Sequence, residues 1–138
     1  MRALVDINVV LDVLLDRRTH VAASAAVWAA IESRHSEGLL SAHAITTIHY
    51  LIRKEAGAAK AKHTIAAILK VFGIAPVDRQ VIDDALELKL PDFEDSVTAA
   101  AAQRADCDFI VTRNLKDFRG SPIRCFAPEE ASLLLRTE

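Results

Sequence analysis

Glycine, proline, cysteine and aromatic side chains are all scarce in this chain. Four glycines and four prolines among 138 residues leave no linker, low-complexity tract or repeat at which to divide it. The two cysteines, Cys107 and Cys125, stand alone, with no C-x-x-C and no paired histidines at zinc spacing. That excludes a zinc ribbon or a disulfide scaffold and reads as buried thiols in a reducing compartment. Aromatics make up 5% of the residues against 51% hydrophobic, so aliphatic side chains and alanine must fill the core. No apolar run approaches the ~18–20 residues that a bilayer span requires. A strand begins at Arg2, straight after the initiator, which leaves no room for a signal peptide. A soluble, cytoplasmic protein is expected. No charge of one sign dominates either: 17 Lys and Arg stand against 19 Asp and Glu, a net charge of −2. A global basic field for nucleic acid is thereby excluded, and any such contact has to be local or made through metal ions that neutralise phosphate.

What is present is an alternation of two patterns. The length suits one domain spanning residues 1–138, with a core that needs no staples. Strand-like runs occur at Arg2–Val5, Leu39–Ser41, Ile74–Val77, Phe109–Thr112 and Ile123–Phe126. Helical patterns fill the intervals: Val9–Leu15, His20–His35 stopped by Gly38, Ala44–Ala56 stopped by Gly57, Ala59–Val71 stopped by Gly73, Arg79–Lys89 before Pro91, Phe93–Ala105 and Pro128–Arg136. Strands alternating with helices predict an α/β sandwich of three layers around a parallel sheet covered on both faces.

Acidic residues fall where strands hand over to helices or loops. Asp6 closes the first strand, Asp92 and Asp95 open the helix that carries Ala99–Ala102, and Asp117 follows the fourth strand. The carboxyl ends of parallel strands line one crevice. Carboxylates meeting there repel unless a hard cation joins them, which points to Mg²⁺ or Mn²⁺. Each has a simpler role as well. Asp6 suits a cap on the short helix that follows, and Asp92 with Asp95 three residues on approximates a capping box in a first turn that favours acids. Asp95 precedes Thr98, Ala99 and Ala102 on the face expected to pack inward, whereas Glu94 is expected to face solvent. Thr112 at a strand end can fix a neighbouring carboxylate rotamer. Asn8 and Asn114 can hold a water, and Arg113 and Lys116 can meet phosphates. Asp12 reads as a solvated or helix-end residue. His20, His35, His43 and His63 read as surface or internally satisfied histidines.

Taken together, Leu4-Val5-Asp6-Ile7-Asn8-Val9-Val10-Leu11-Asp12, Asp92-Phe93-Glu94-Asp95 before an Ala-rich helix, and Val111-Thr112-Arg113-Asn114-Leu115-Lys116-Asp117-Phe118 resemble a PIN domain. More narrowly, the chain is similar to the VapC-like toxins of bacterial toxin–antitoxin pairs. The resemblance implies a five-stranded parallel sheet in the order 3-2-1-4-5, Mg²⁺- or Mn²⁺-dependent cleavage of single-stranded RNA, and a cognate antitoxin. By position it makes Asp6 and Asp95 metal ligands, Asp117 a further catalytic acid, Thr112 the hydroxyl beside them and Asn8 the amide after the first Asp. Asn114 stands where many relatives carry a fourth Asp.

One departure is evident. The family's Glu in the helix after strand 2 falls near Thr47, and no acid follows until Glu55, about two turns further on. A weaker metal shell follows, as does the alternative of a catalytically degenerate PIN-like binding module. A receiver-type signalling module is the other rival, with Asp78 as phosphoacceptor, but the fifth strand Ile123-Arg124-Cys125-Phe126 lacks the Lys it needs. Aliphatic surface on Ala44–Ala56 and Ala59–Val71 in excess of what one sheet face covers predicts a homodimer.

Overall fold

Short runs of aliphatic residues with no alternation of polar side chains are what a strand buried on both faces requires. In the computed structural model, which describes residues 1–137, five such runs form β1 (Arg2–Val5), β2 (Glu37–Ser41), β3 (Gly73–Ala75), β4 (Phe109–Val111) and β5 (Cys125–Phe126). They pair in parallel in the order β3-β2-β1-β4-β5. Leu4 lies beside Leu39 on one neighbour and Ile110 on the other, and Val5 lies beside Val111. The three-layer α/β architecture and its strand order are as expected.

The helices are α1 (Ile7–Leu14), α2 (Val21–Glu32), α3 (Ala42–Ala56), α4 (Ala58–Leu69), α5 (Arg79–Glu87), α6 (Phe93–Arg104) and α7 (Pro128–Arg136). Alternate strand residues separate two cores. Ala3, Val5, Leu40, Phe109 and Val111 face α1–α4 and α7, in a cluster with Val9, Val10, Val27, Ile31, Ile48, Ile68 and Leu135. Leu4, Leu39 and Ile110 face α5 and α6, in a cluster with Val81, Ala85 and the alanines Ala99–Ala102. Helix α6 is buried from Ser96 to Ala102, and alanine is the residue that lets a helix lie this close to a sheet while keeping full helix propensity.

Two glycines do not stop helices as expected. Gly38 lies within β2, where a Cβ would come within 2.5 Å of Ile31 Cδ1. Its bare backbone is what lets α2 cross the strand. The α2 helix ends earlier, at Glu32, where Arg34 turns the chain with φ 68°. Gly73 likewise belongs to β3, and a Cβ there would meet Leu39 Cδ2 at 2.7 Å. Gly57 does break the chain between α3 and α4, at φ 92°. The loop after β4 contains a 3-10 turn, Leu115–Phe118, that strand and helix periodicities do not reveal. Among the described residues, no helix is long and apolar enough to cross a membrane.

Candidate active site

The sheet order reverses between β1 and β4. From β1 the chain crosses to β2, while β4 has arrived over the opposite face and continues to β5. Such a reversal opens a crevice at the carboxyl ends of the two strands. Asp6 and Thr112 are the first residues beyond them. The Asp6 amide donates to Val111 O (2.9 Å) and the Thr112 amide to Phe126 O (3.0 Å), so the sheet ladder itself sets both backbones.

Asp6 is 4% exposed, and its side chain makes no cap to α1. Instead Thr112 Oγ1 donates to Asp6 Oδ2 at 3.0 Å, and the Asn114 amide donates to Thr112 Oγ1 at 3.1 Å. This chain of hydrogen bonds fixes the carboxylate rotamer. Burial pushes the Asp6 carboxyl up to about 6, against the opposing pull of the Thr112 hydroxyl, the Ile7 amide and the Arg113 charge.

Asp95 enters the same space from α6. Asp92 is the N-cap of that helix and accepts from the Asp95 amide at 3.1 Å. The capping and functional readings therefore divide between two residues: Asp92 caps, and Asp95 is left free to face inward. The Asp95 carboxyl is pushed up to about 7, by burial first and then by the charges of Asp6, Asp92, Asp117 and Glu94. Four acids act on one half-buried carboxyl, a concentration of negative charge that a cation would relieve. Asp117, on the 3-10 turn, is one of them, so the turn carries that acid toward α6.

A cavity of about 20 Å³ is lined by Asp6, Ser41, His43, Thr47, Glu94, Asp95 and Thr98 among others, with Asp117 and Thr112 outside its wall. It is the space of a single water or a small ion. All-oxygen donors suit Mg²⁺ or Mn²⁺. Among the described residues, no three Asp, Glu, His or Cys side chains form a ready-made metal cage. Mg²⁺ in particular is bound through one or two carboxylates, waters and substrate phosphate rather than by an all-protein cage. The donor set fits such an ion.

Several residues are placed differently from their sequence expectation. Asp12 is not solvated: it is fully buried and accepts from Ser24 Oγ (3.0 Å), Arg113 Nε (2.9 Å), Arg113 Nη2 (3.1 Å) and Arg17 Nη1 (3.4 Å). Arg113 is therefore no free phosphate contact. Its guanidinium is clamped beneath the crevice by a carboxylate that matches its two-pronged geometry. Asn8 does not stand open to hold a water, because its side-chain oxygen accepts from Arg17 Nη1 at 3.2 Å. Lys116 is exposed on the 3-10 turn. Asp78 caps α5 through the Val81 amide (3.1 Å) and lies away from the cavity. Thr47 does line the cavity, as its alignment required.

Two further residues line the cavity: Glu94, which faces solvent as expected, and His43, which has an internal partner as expected. Glu94 is exposed, yet it forms part of the cavity wall. His43 lies across from it, its Nδ1 3.0 Å from Ser41 Oγ. Burial holds the His43 ring below its usual pKa, while Glu94 pulls in the opposite direction. The contact joins the first turns of α3 and α6, some fifty positions apart in sequence, and local spacing carries no sign of it.

Comparison with known proteins bears on the same segments. Residues 2–116 match the profile of a family described as the PIN domain. The chain is 26% identical over 134 residues to Ribonuclease VapC1 of Aquifex aeolicus (strain VF5), covering 94% of this chain and 92% of that protein. Its fold is similar to that of VapBC2 from Rickettsia felis, solved bound to a DNA fragment from its promoter, with a TM-score of 0.72, 14% identity, and coverage of 92% and 98% of the two chains. It is also similar to Mycobacterium tuberculosis VapC20, a Sarcin-Ricin loop cleaving toxin, with a TM-score of 0.61 at 16% identity over 78% of this chain and 86% of that one.

Proposed function

This chain belongs to the PIN domain family, and we propose that it is a Mg²⁺- or Mn²⁺-dependent endoribonuclease acting on single-stranded RNA, the toxin of a toxin–antitoxin pair. The observation that carries the reading is an ion-sized cavity at the carboxyl edge of the sheet with Asp6 and Asp95 in its wall, where the charges of Asp6, Asp92, Asp117 and Glu94 converge on Asp95. The similarity to the Aquifex ribonuclease and to the Sarcin-Ricin loop cleaving toxin VapC20 supports it.

Asp6 and Asp95 are the residues that would hold the ion. A divalent cation at that point supplies charge neutralisation for the phosphate and a water of lowered pKa. Thr112 keeps the Asp6 oxygens aimed at the cavity through its 3.0 Å hydrogen bond, so no reorientation is needed as substrate arrives. Asp117 adds negative charge from the loop side and is the residue assigned as the further catalytic acid. The Asn114 amide holds the hydroxyl of Thr112 in turn. Lys116 is the open cation on that loop and is assigned to the RNA backbone. Arg113, tied to Asp12, acts instead by favouring the ionised form of Asp6 from below. An antitoxin segment presenting Arg or Lys to this acidic crevice would neutralise it and block RNA.

Cleavage of an RNA with unpaired segments tests the reading, in EDTA and then with added Mn²⁺. Asp6→Asn and Asp95→Asn are expected to lose cleavage while keeping the wild-type circular dichroism. Full activity in either variant removes that residue from the mechanism. Metal and RNA binding by the wild type without cleavage would favour the degenerate binding module, which Thr47 in the cavity wall otherwise supports.

A further inference from the structure

The crevice at the carboxyl edge is a poor place for phosphates to gather by charge alone. The charges of Asp6, Asp92, Asp117 and Glu94 converge on Asp95. Arg113 is tied to Asp12, and Arg17 to Asp12 and Asn8. That leaves Lys116 on the 3-10 turn and Arg119 just after it as the exposed cations of that segment. With a net charge of −2, no wider basic field makes up the difference. An RNA strand held here needs affinity from a source other than its backbone.

The chain has five Phe, one Trp and one Tyr. Phe72, Phe109 and Phe118 are buried, and Trp28 and Phe126 pack against the core. Tyr50 is exposed in the middle of α3. Phe93 is 51% exposed. It is the first residue of α6, between the cap Asp92 and the cavity-lining Glu94, and two positions before Asp95. Leu115, 44% exposed, opens the 3-10 turn that carries Lys116 and Asp117. Single exposed apolar side chains are ordinary on a surface, but here one stands on each of the two segments that bring acids to the crevice. Asp92 accepts from the Asp95 amide at 3.1 Å, and this cap fixes the backbone that presents the Phe93 ring, which lowers the cost of ordering on binding.

We propose that the Phe93 ring stacks on an unpaired RNA base, and that this contact, more than phosphate pairing, supplies the affinity beside the crevice. The assignment rests on the nuclease reading and deepens it by naming how the substrate is gripped. Every base has a π-face, so an aromatic ring grips a strand of any sequence. A base stacked within a duplex cannot offer that face, so a preference for single strands follows from the same contact.

Fluorescence anisotropy of a labelled single-stranded RNA oligonucleotide in EDTA tests this on the wild type, Phe93→Ala, Phe93→Leu and Phe93→Trp. The ring is exposed, so the fold is retained, and thermal melts verify that. Phe93→Ala and Phe93→Leu are expected to weaken binding by roughly 5–150-fold, the worth of one stacked base, and Phe93→Trp to keep it. The log–log salt slope of wild-type binding should be shallower than about −2, since each phosphate neutralised on a single strand contributes about −0.7. With Mn²⁺ added, Phe93→Ala should raise KM for cleavage and leave kcat unchanged, the mark of a lost binding contact. Among oligonucleotides with one abasic position, one should weaken wild-type binding and leave Phe93→Ala unaffected. Wild-type affinity in Phe93→Ala or Phe93→Leu, or a steeper salt slope, overturns the stacking role and leaves the nuclease reading standing. If Phe93→Ala keeps its RNA affinity but changes oligomeric state in light scattering, the ring belongs to a contact between copies and the proposal is overturned. RNA that is cleaved with Mn²⁺ but not bound in EDTA overturns it as well, because the metal then supplies the affinity. Wild-type protein that neither binds nor cleaves RNA overturns the nuclease reading and this assignment with it.

Discussion

Asp12→Asn removes one charge from the buried network beneath the crevice, and its cost can be worked out from the contacts. The carboxylate is fully buried and receives the two-pronged Arg113 at 2.9 and 3.1 Å, Ser24 at 3.0 Å and Arg17 at 3.4 Å. Asparagine keeps one acceptor oxygen but turns an amide donor toward guanidinium donors. Breaking a buried pair by removing one partner costs about 3–5 kcal/mol. The arginine side chains are 24% and 34% exposed, so both regain some water, and roughly 2–4 kcal/mol is expected. For a chain of this size that lowers the melting temperature by roughly 10 °C. Replacing both partners with apolar groups is often close to neutral. Asp12→Leu/Arg113→Met should therefore cost less than the sum of the two single changes. Urea unfolding of the four proteins at pH 7 measures both quantities. A loss under about 0.5 kcal/mol for Asp12→Asn, the size of an ordinary surface change, or strict additivity in the cycle, would refute the network.

Two further outcomes follow from the charges and the surface. In EDTA, Asp6 and Asp95 keep their protons to about 6 and about 7 in the fold but release them near 3.8 when unfolded. The native state thus holds more protons across that window, and stability should fall as pH rises from about 4 to 7. Asp6 alone contributes about 3 kcal/mol at ~1.4 kcal/mol per pH unit. Asp84, held below its usual range by Arg104, titrates outside the window; His43, held below its usual pKa by burial, works against the slope within it without cancelling two carboxyls, and Mn²⁺ should flatten the slope. Urea midpoints that rise between pH 5 and 7 in EDTA would contradict the carboxylate crowding. The second outcome is a homodimer in light scattering at micromolar concentration, since Tyr50 on α3 and Leu69 on α4 are 63% and 51% exposed. A monomer would refute it.

The sheet was legible because buried parallel strands leave nearly continuous apolar runs, and the turn from strand to helix at Asp6 needs only local reading. The 3.0 Å pairing of Thr112 with Asp6 followed from placing two strand ends side by side. Arg113 and Asp12 were misread for one shared reason. Each looks solvated when considered within its own segment, and 101 positions separate them, so only the folded sheet brings them together. Glu94 faces solvent as helical phase directs, but its share in the cavity wall was not legible. The cavity wall there is completed by α3, an element that the α6 sequence does not encode. Gly38 and Gly73 were read as stops because glycine commonly ends helices. Their role is to admit Ile31 and Leu39, a demand made by the neighbouring layer.

The alanine run of α6 has a mechanical meaning. Ala99, Ala100, Ala101 and Ala102 have no exposed surface, so the helix is wedged on every side and behaves as a lever pinned along its middle. Asp95 sits at one end, roughly 10 Å from Ala102 at 1.5 Å per residue. A single extra methyl group at Ala102, which has no exposed surface, would have to shift the helix that carries Asp95. Residues with no chemistry of their own thereby set the gap between the carboxylates. Drift in catalytic rate among variants of this protein should map as readily onto that hidden row of methyl groups as onto the acids it aims.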